Sequence, residues 1–491
     1  MEVTDIRVIL APAISLLCAA LVFVAGSNKH WRRFWMLSAA TLKLGVVMSM
    51  LPGSLQGTVY TWDMIDFTPG IGLAFRADAL GMFFAAVSST LWVITTIYAI
   101  GYMTGDEHRV RFFGFFALCV STTVGLAFAE NLLTFFLFYE MLTICTYPLV
   151  IHDETPDALK AGRKYLTYTL IGGAFIMVGS VIVYDATGTL SLGHPGILSA
   201  ELGTRTLLLI FVSLVGGFAV KAAVMPLHGW LPSAMVAPTP VSALLHAVAV
   251  VKAGAFGILR TIYNVFGVDL LEEIGFAVPL MWIAAFTILA ASLVAIFQDN
   301  IKRRLAFSTI SQLSYIVLGA ALLTPFAATA AIVHIANQAF AKITMFFVAG
   351  AIQRTTGKTN VHELAGIGYR MPWTMGAFTV AALSFIGMPL FAGFITKWYL
   401  SLGALESGEY WVLAVMIASA MLNAAYFLPI VYLAFFKAPP GTKLRVAEAR
   451  PTLLISTLVA AAYVIVLGTT AEVPGMPFSL AQAAVHFVFG M

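Results

Sequence analysis

The stretch that decides the fold is AVKAAVMPLHGWLP, residues 219–232, which begins as a membrane span and then departs from that pattern. Lys221 places a charge inside an apolar run, and Pro226 follows five residues later. A proline within a helix removes a backbone donor and clashes with the carbonyl four residues earlier. Since the freed carbonyls must be satisfied by protein or water in a membrane, such a break is typical of an internal cavity.

The composition of the whole chain requires lipid as the main solvent. Of its 491 residues, 60% are hydrophobic and only 10% are charged, whereas soluble proteins carry about 25% charged residues. Apolar stretches of about 20 residues, the length that crosses a bilayer as a helix, recur throughout the sequence. This pattern predicts an all-α polytopic membrane protein and leaves no room for a soluble catalytic domain. The three cysteines, Cys18, Cys119 and Cys145, lie singly in apolar spans, so we expect neither disulfides nor metal clusters.

The hydropathy pattern predicts about fourteen transmembrane helices. Their approximate bounds are 6–25, 34–52, 79–103, 112–129, 132–151, 164–185, 206–225, 240–260, 277–297, 304–323, 328–352, 374–401, 411–436 and 452–470. Residues 478–490 are expected to form a short amphipathic tail, and we interpret the first span as a retained helix because no basic segment precedes it.

The basic residues of the connecting loops fall mostly on one side of the membrane. One set of alternate loops holds eighteen of them: Lys29, Arg32, Arg33, Arg109, Arg111, Lys160, Arg163, Lys164, Lys302, Arg303, Arg304, Arg354, Lys358, Arg370, Lys437, Lys443, Arg445 and Arg450. The other set holds four: Arg7, Arg76, Arg205 and Arg260. Because Lys and Arg concentrate in cytoplasmic loops, this asymmetry predicts that both termini face outward across the plasma (inner) membrane.

Five lysines remain inside the predicted spans, together with one clear mid-span carboxylate. The lysines are Lys43, Lys221, Lys252, Lys342 and Lys397, the carboxylate is Glu140, and His246 and His334 are also internal. A lysine at the bilayer centre costs about 2.5–3.5 kcal/mol on insertion scales. These side chains are therefore expected to face one another or a hydrated interior, where a lysine is able to exchange its proton.

Each internal charge also has an ordinary structural interpretation. A lone lysine near the end of a span commonly extends its ammonium group to the headgroups, and we apply that interpretation, or a local packing role, to Lys43. A membrane histidine often hydrogen-bonds across helices. In HIANQAFAK, however, His334, Gln338 and Lys342 step by four residues and share one helical face.

The Met-Pro-Leu motif of the broken span occurs again later in the chain. Met225-Pro226-Leu227 recurs as the triplet Met388-Pro389-Leu390, and each triplet has a buried lysine nearby, Lys221 before the first and Lys397 after the second. Repeated broken helices are typical of transporters that are built from two related halves. We therefore predict a second helix break at Pro389.

Three long stretches resemble the proton-conducting antiporter-like subunits of respiratory complex I, Mrp-type cation/proton antiporters and membrane-bound hydrogenases. These stretches are KAAVMPLHGWLPSAMVAPTPVSALLHAVAVVKAG (221–254), DNIKRRLAFSTISQLSYI (299–316) and HIANQAFAKITMFFVAGA (334–351). The resemblance covers about residues 75 to 430. It implies fourteen core helices with two inverted five-helix repeats and two broken helices.

The resemblance also implies boundaries and roles. The expected units are N-terminal helices (1–111), a first repeat (112–266), a second repeat (277–436) and a C-terminal helix with its tail (437–491). Glu140 and Lys221 would form the first half-channel's pair, with His246 and Lys252 on the next helix. His334 and Lys342 would form a central relay ending at Lys397, with Gln338 where some members carry a second histidine and Lys397 where one type of complex I subunit carries glutamate.

The expected function is therefore proton translocation within a larger membrane complex. The short segment after the last span disfavours the largest complex I subunit of this kind, which carries a long lateral helix. We expect a protein like the D-type subunit of Mrp antiporters, and a core-sized subunit of complex I or of a hydrogenase-type complex is the alternative. Its partners would be other membrane subunits, including further antiporter-like subunits, with protons, lipid and Na⁺ as the candidate small partners. The sequence shows no nucleotide motif or cofactor ligand set, so no cofactor, catalytic chemistry or nucleic-acid binding is expected.

Two other functional classes stay open from the residues. A redox subunit could use His246 and His334 as axial haem ligands, but it would leave five buried lysines without a role. A self-sufficient solute transporter would carry flux in liposomes without any partner.

Overall fold

The computed structural model describes residues 1–68, 71–437 and 447–491, so the predicted loop charges Lys443 and Arg445 lie outside the described residues. The first ten helices are α1 (Arg7–Ala25), α2 (Lys29–Leu55), α3 (Ala79–Tyr102), α4 (Arg109–Ala127), α5 (Leu132–Val150), α6 (Pro156–Thr187), α7 (Thr204–Ala222), α8 (Trp230–Ser233), α9 (Thr239–Ala247) and α10 (Val250–Arg260). The next ten are α11 (Val268–Ile274), α12 (Ala277–Ile296), α13 (Ile301–Ala321), α14 (Pro325–Thr356), α15 (Ile367–Arg370), α16 (Pro372–Ile386), α17 (Ala392–Glu406), α18 (Trp411–Phe436), α19 (Pro451–Thr469) and α20 (Pro477–Phe489). A π-helical turn, Thr261–Phe266, continues α10, and short 3₁₀ turns lie at Ala200–Leu202, Ala234–Val236 and Val361–Leu364.

Within the described residues, twelve helices are long and apolar enough to cross a membrane. This confirms a helical, multi-pass membrane protein, whereas the predicted total of fourteen spans stays a prediction. Two predicted spans account for the difference. Span 304–323 is α13, whose three serines, one glutamine and three basic residues keep it below the hydropathy of a typical span, and span 374–401 is divided into α16 and α17.

Many helices begin where a short polar side chain accepts a hydrogen bond from the first turn of the helix. Such N-caps satisfy backbone donors that have no partner within the helix. The capping residues with this bond are Asn28, Asp78, Asn131, Thr155, Asn300 and Thr324. The local sequence therefore fixes the start of α2, α3, α5, α6, α13 and α14.

A small three-stranded sheet has two of its strands between α2 and α3, where no transmembrane span is predicted, and its third strand before α1. Its strands are β1 (Glu2–Thr4), β2 (Val59–Thr68) and β3 (Ile71–Ala77), in the order β1-β2-β3. β1 pairs with β2 in parallel, and β2 pairs with β3 antiparallel. The aromatic and β-branched residues of VYTWDMIDFT favour a strand, but this local signal is weak beside the helical hydropathy of the neighbouring spans.

The centre of the bundle is α14. Every residue from Ala327 to Ile352 is buried, because the helix packs against α3, α9, α13, α16, α17, α19 and α20. The segment Thr239–Phe266 is likewise buried along its apolar window. These two central segments carry four of the seven predicted site residues and keep them away from the lipid-facing surface.

Candidate functional site

The first helix break follows a helix end of the Schellman type. Ala223 adopts a left-handed conformation with φ 56°, and its N–H donates to the carbonyl of Val220 at 3.1 Å. The N–H of Val224 donates to the carbonyl of Ala219 at 3.1 Å. This pair of hydrogen bonds terminates a helix by itself, and Pro226 then prevents the helix from continuing. The helix therefore ends at Ala222, before Pro226, and the next helix begins at Trp230.

Lys221, in the last turn of α7, reaches across to α5. It is fully buried, its Nζ donates a hydrogen bond to the carbonyl of Tyr139, and Nζ lies 3.3 Å from the centroid of the Tyr139 ring. A cation above an aromatic face is stabilised by the ring quadrupole. The cation is therefore held by a neighbouring helix and not by the carbonyl end of α7.

Glu140 lies next to Tyr139 on α5 but does not form an ion pair with Lys221 within 4.0 Å; no such bridge involves Glu140 in the described part of the chain. Its side chain is half-buried, and Oε1 is a buried atom without a hydrogen-bond partner. A Cβ atom at Gly173 of α6 would overlap this oxygen. The carboxylate thus sits beside the lysine's binding point, and direct pairing of the two groups stays a prediction.

An irregular turn, which the sequence pattern did not predict, separates α9 from α10. The N–H groups of Val248 and Ala249 both donate to the carbonyl of Leu244, at 3.1 and 3.0 Å. His246 precedes this irregular turn and Lys252 follows it. Both ring nitrogens of His246 and the Nζ of Lys252 are buried without partners. No proline or glycine marks the turn in AVAVVK, so the sequence offered no signal for it.

Lys342, on the central helix α14, is hydrogen-bonded to its neighbours. Its Nζ donates to Ser308 Oγ of α13 at 2.8 Å and lies 4.2 Å from the ring centroid of Phe385. Ser308 Oγ in turn forms a 3.0 Å hydrogen bond with the hydroxyl of Tyr426 on α18. Two hydroxyl groups therefore extend the contacts of this buried lysine towards α18.

The chain of hydrogen bonds continues to the second helix break. The hydroxyl of Tyr426 donates to Asn423 Oδ1, and Asn423 Nδ2 donates to the carbonyl of Phe385 at 3.0 Å. Lys397 Nζ donates to the same carbonyl at 3.0 Å and to the carbonyl of Ile386 at 2.7 Å. An amide donates through nitrogen and accepts through oxygen. Asn423 therefore links the hydrogen bonds of Lys342 to those of Lys397, but it is not itself a proton carrier.

The second helix break repeats the geometry of the first. Gly387 has φ 95°, its N–H donates to the carbonyl of Ser384 at 3.0 Å, and the N–H of Met388 donates to the carbonyl of Leu383 at 3.1 Å. Pro389 follows in the connection between α16 and α17. This helix also ends before its proline, at Ile386, and α17 begins at Ala392.

His334 links the central helix to α17. Its Nδ1 is 3.2 Å from Thr396 Oγ1, and Asn337 Nδ2 donates to the same hydroxyl at 3.0 Å. The His334 Nε2 atom and both side-chain polar atoms of Gln338 are buried without partners. Buried polar atoms of this kind are commonly satisfied by ordered water.

The seven predicted site residues thus divide into two groups. Lys221, Lys342 and Lys397 each donate hydrogen bonds to protein atoms. Glu140, His246, Lys252 and His334 each keep at least one buried polar atom unpartnered. The sequence did not predict which residues accept hydrogen bonds from these three lysines. Ser308 and Gln312 share one face of α13, however, and that pattern indicates a polar surface on this helix.

Two further charges are buried, one in agreement with an interpretation given above and one against its expected place. Lys43 does not reach the headgroups: it is fully buried, and its Nζ lies 4.1 Å from the ring centroid of Trp92, which favours the packing interpretation. Arg260, placed in an outer loop from the sequence, is buried at the end of α10 and forms a two-pronged ion pair with Asp78 at 2.6 and 2.7 Å.

The fold and this interior define the class of the protein: a polytopic helical membrane protein that buries several ionisable side chains between its helices. Comparison with known families agrees with that class. The family described as NADH:quinone oxidoreductase/Mrp antiporter, TM, matches residues 129–422. The family described as NADH-Ubiquinone oxidoreductase (complex I), chain 5 N-terminus, matches residues 67–113.

Individual relatives match over nearly the whole chain. The NADH-quinone oxidoreductase subunit N of Desulforudis audaxviator is 31% identical over 470 residues, which cover 92% of this chain and 92% of that protein. The D-type subunit of the Na⁺/H⁺ antiporter of Alkalihalophilus pseudofirmus is 29% identical over 87% of this chain and 86% of its own. A chain in the structure of the Mrp complex from a Dietzia species superimposes with a TM-score of 0.88 over 98% of this chain and 97% of that chain at 21% identity, which shows a shared fold. The chain therefore belongs to the NADH:quinone oxidoreductase/Mrp antiporter family of membrane subunits.

Proposed function

We propose that this chain is a proton-translocating, antiporter-like subunit of a multisubunit membrane complex, of the D type found in Mrp Na⁺/H⁺ antiporters. The observation that supports the proposal best concerns the seven predicted site residues, which we call the file. Some of these ionisable side chains are hydrogen-bonded to protein atoms, and others keep buried polar atoms without a hydrogen-bond partner. A fully satisfied network would hold its protons in one arrangement, whereas unpartnered buried polar atoms require water or a change of state.

The proposed path runs from Glu140 through Lys221 and Lys252 to Lys342 and ends at Lys397, with His246 and His334 beside it. The two terminal residues are only partly buried, whereas Lys221, Lys252 and Lys342 are fully buried. Protons would therefore exchange at the ends of the file and pass between lysines through intervening water. Each transfer moves a charge, which changes the proton affinity of the neighbouring group.

The partners in this proposal are further membrane subunits, because the two relatives described above carry subunit names. The chain would lie in the plasma (inner) membrane with both termini outward, as the distribution of loop lysines and arginines indicates. The division into repeats at 112–266 and 277–436 belongs to the same proposal, and the Schellman-type ends before Pro226 and Pro389 support it.

The proposal is tested in the assembled complex in inverted vesicles. Lys221→Ala and Glu140→Gln are each expected to reduce the ion-driven pH change to the level of vesicles that lack the complex. Lys43→Met is the matched control, because Lys43 is an equally buried membrane lysine that lies away from the file. Normal pumping by both test variants with normal assembly would exclude this route.

A second candidate is a proton-pumping subunit of a complex I or hydrogenase-type complex, which the match to a subunit N favours to a similar degree. The two functions differ in their driving reaction. A pH change driven by a Na⁺ gradient in the absence of any electron donor supports the antiporter. A pH change that requires an electron donor and acceptor supports the redox-driven complex.

A further inference from the structure

Three arginines converge at the end of the bundle where α1 meets α2 and α3 meets α4. Arg32 and Arg33 lie in the first turns of α2, and Arg109 is the first residue of α4. All three line one small cavity together with Met36, Met103 and Phe113. None of the three is used by the proposed proton path.

Arg32 is unusual for a basic residue at a membrane boundary, because only 4% of its surface is exposed. Its Nη1 donates to the carbonyl of Gly26 at 2.9 Å, and its guanidinium carbon lies 5.9 Å from the Phe113 ring centroid. The Nε atom is buried without an acceptor. Charges that only set membrane orientation are normally solvated, so a buried guanidinium with a free donor points to an anionic ligand.

The described residues supply no carboxylate to this cluster. Neither Arg33 nor Arg109 has a side-chain hydrogen bond or ion pair within the described ranges. The two acids nearest to Arg109 in sequence do not pair with it: Asp106 is bound to His152 at 3.1 Å, and Glu107 is exposed and forms no ion pair in the described ranges. Three guanidinium groups without a counter-ion repel one another, and an anion placed between them removes that repulsion.

The surroundings are those of a lipid headgroup. Trp31 and Phe34 of α2 expose 55% and 52% of their surfaces beside the cluster, and aromatic side chains gather at the headgroup level of membranes. The cavity wall combines the three guanidinium groups with apolar side chains. Guanidinium groups match phosphate oxygens in pairs, and basic pockets between membrane helices suit acidic headgroups.

We infer that Arg32, Arg33 and Arg109 form a binding site for the phosphodiester group of an acidic phospholipid. Arg32 is the fixed part of this site, because its bond to Gly26, the residue that follows α1, and its position over Phe113 orient its free donors. Arg33 and Arg109 close on the phosphate from the more exposed side, and the lipid chains lie along the exposed face of α2. This inference is independent of the proposed transport function.

The test uses the assembled complex in nanodiscs of phosphatidylcholine that contain a trace of photoreactive phosphatidylglycerol. Cross-links are mapped by mass spectrometry of peptides from α2 and α4. Arg32→Gln and the double variant Arg33→Gln/Arg109→Gln should each reduce labelling at this site by about tenfold or more, since each removes charge-assisted hydrogen bonds. Arg163→Gln/Arg303→Gln, which removes two exposed arginines elsewhere, is the matched control and should label like the wild type.

The competing occupants give different results. Unlabelled phosphatidylglycerol should displace the label, and phosphatidylcholine should not. Displacement by inorganic phosphate alone would identify a free phosphate site and overturn the lipid assignment. Equal labelling of all variants would also overturn it. So would a wild-type complex that the lipid probe does not label, together with arginine variants that lose a neighbouring subunit, because the cluster would then bind that subunit. The double variant keeps the test decisive if Arg32→Gln does not fold, because Arg33 and Arg109 are not buried.

Discussion

The two broken helices end alike and hold their lysines differently. Both carry a Met-Pro-Leu triplet and both end with a left-handed residue and paired Schellman hydrogen bonds. Lys221, at the first break, bonds away from it, to the carbonyl of Tyr139 on α5. Lys397, at the second, bonds back to the exposed carbonyls of Phe385 and Ile386, which end α16.

The same Met-Pro-Leu triplet with a nearby lysine therefore occurs in two different arrangements. Lys397 satisfies the carbonyls that the break leaves open, so it supports the break as well as carrying charge. Lys221 supports no carbonyl of its own helix, and it lies instead beside the turn that carries Glu140. We therefore expect the first lysine to be separable from the stability of its break and the second not to be.

The largest effect is expected from replacing the two lysines by methionine. Lys397→Met leaves two carbonyls with fewer donors and should lower the local opening free energy at the end of α16 by about 2 kcal/mol. Lys221→Met removes a buried charge along with its contacts, so the end of α7 should open as in the wild type. Hydrogen exchange of the amides of Met388 and Val224 measures both effects. Equal changes at the two positions would contradict the distinction.

A smaller effect is expected at the glycine of the second break. Gly387 has φ 95°, and a Cβ there would lie 2.7 Å from Lys397 Cδ. Gly387→Ala should therefore destabilise the protein by about 1–2 kcal/mol, through backbone strain and displacement of the lysine. Gly376→Ala, in an open part of α16, the helix that Gly387 terminates, should be neutral or stabilising. Thermal unfolding in detergent measures both variants, and equal unfolding temperatures would remove the role assigned to Gly387.

The first break depends on a hydroxyl group from another helix. The N–H of Met225 donates to Thr287 Oγ1 of α12 at 3.2 Å, whereas Gly393 at the second break donates to Ser384 Oγ of the adjoining α16 at 2.9 Å. Thr287→Val keeps the side-chain volume but leaves one donor unpaired, which should destabilise the protein by about 1 kcal/mol. Denaturant unfolding measures this value. Thr379→Val, on a partly exposed surface of α16, is the control.

The smallest effect is a gain. Ala223 occupies the left-handed position that Gly387 fills in the second break, and an alanine there is strained. Ala223→Gly should stabilise the folded protein by about 0.5 kcal/mol, since the relief of strain outweighs the added entropy of the unfolded chain. Thermal unfolding in detergent measures this gain, and a lower unfolding temperature would show that the alanine methyl group packs too well to be removed.

Much of the helical bundle could be predicted from the sequence. The expected spans 132–151 and 277–297 agree closely with Leu132–Val150 and Ala277–Ile296, because apolar length is the dominant signal in lipid. The helix breaks were predicted from proline, although Ala223 shows that the first helix ends without the usual glycine. The turn at Val248 and Ala249 had no sequence signal at all.

The partners of the buried lysines were beyond sequence reasoning. Ser308 and Tyr426 are 118 residues apart in the chain, and Asn423 reaches the end of a helix 38 residues away. Such contacts depend on how the helices pack, and periodicity describes only one helix at a time. The sequence could show which side chains needed partners, because an internal charge is costly, but not which partners they found.

The burial of α14 has a consequence for how the protein is made. This helix carries His334, Gln338 and Lys342, and it becomes enclosed only when α16, α17, α19 and α20 pack against it. All four of those helices are synthesised after it. A nascent chain that stops before α16 would leave an ammonium group next to lipid, so α14 must wait in a protected setting, at the translocon or against earlier helices, until the C-terminal part of the chain arrives.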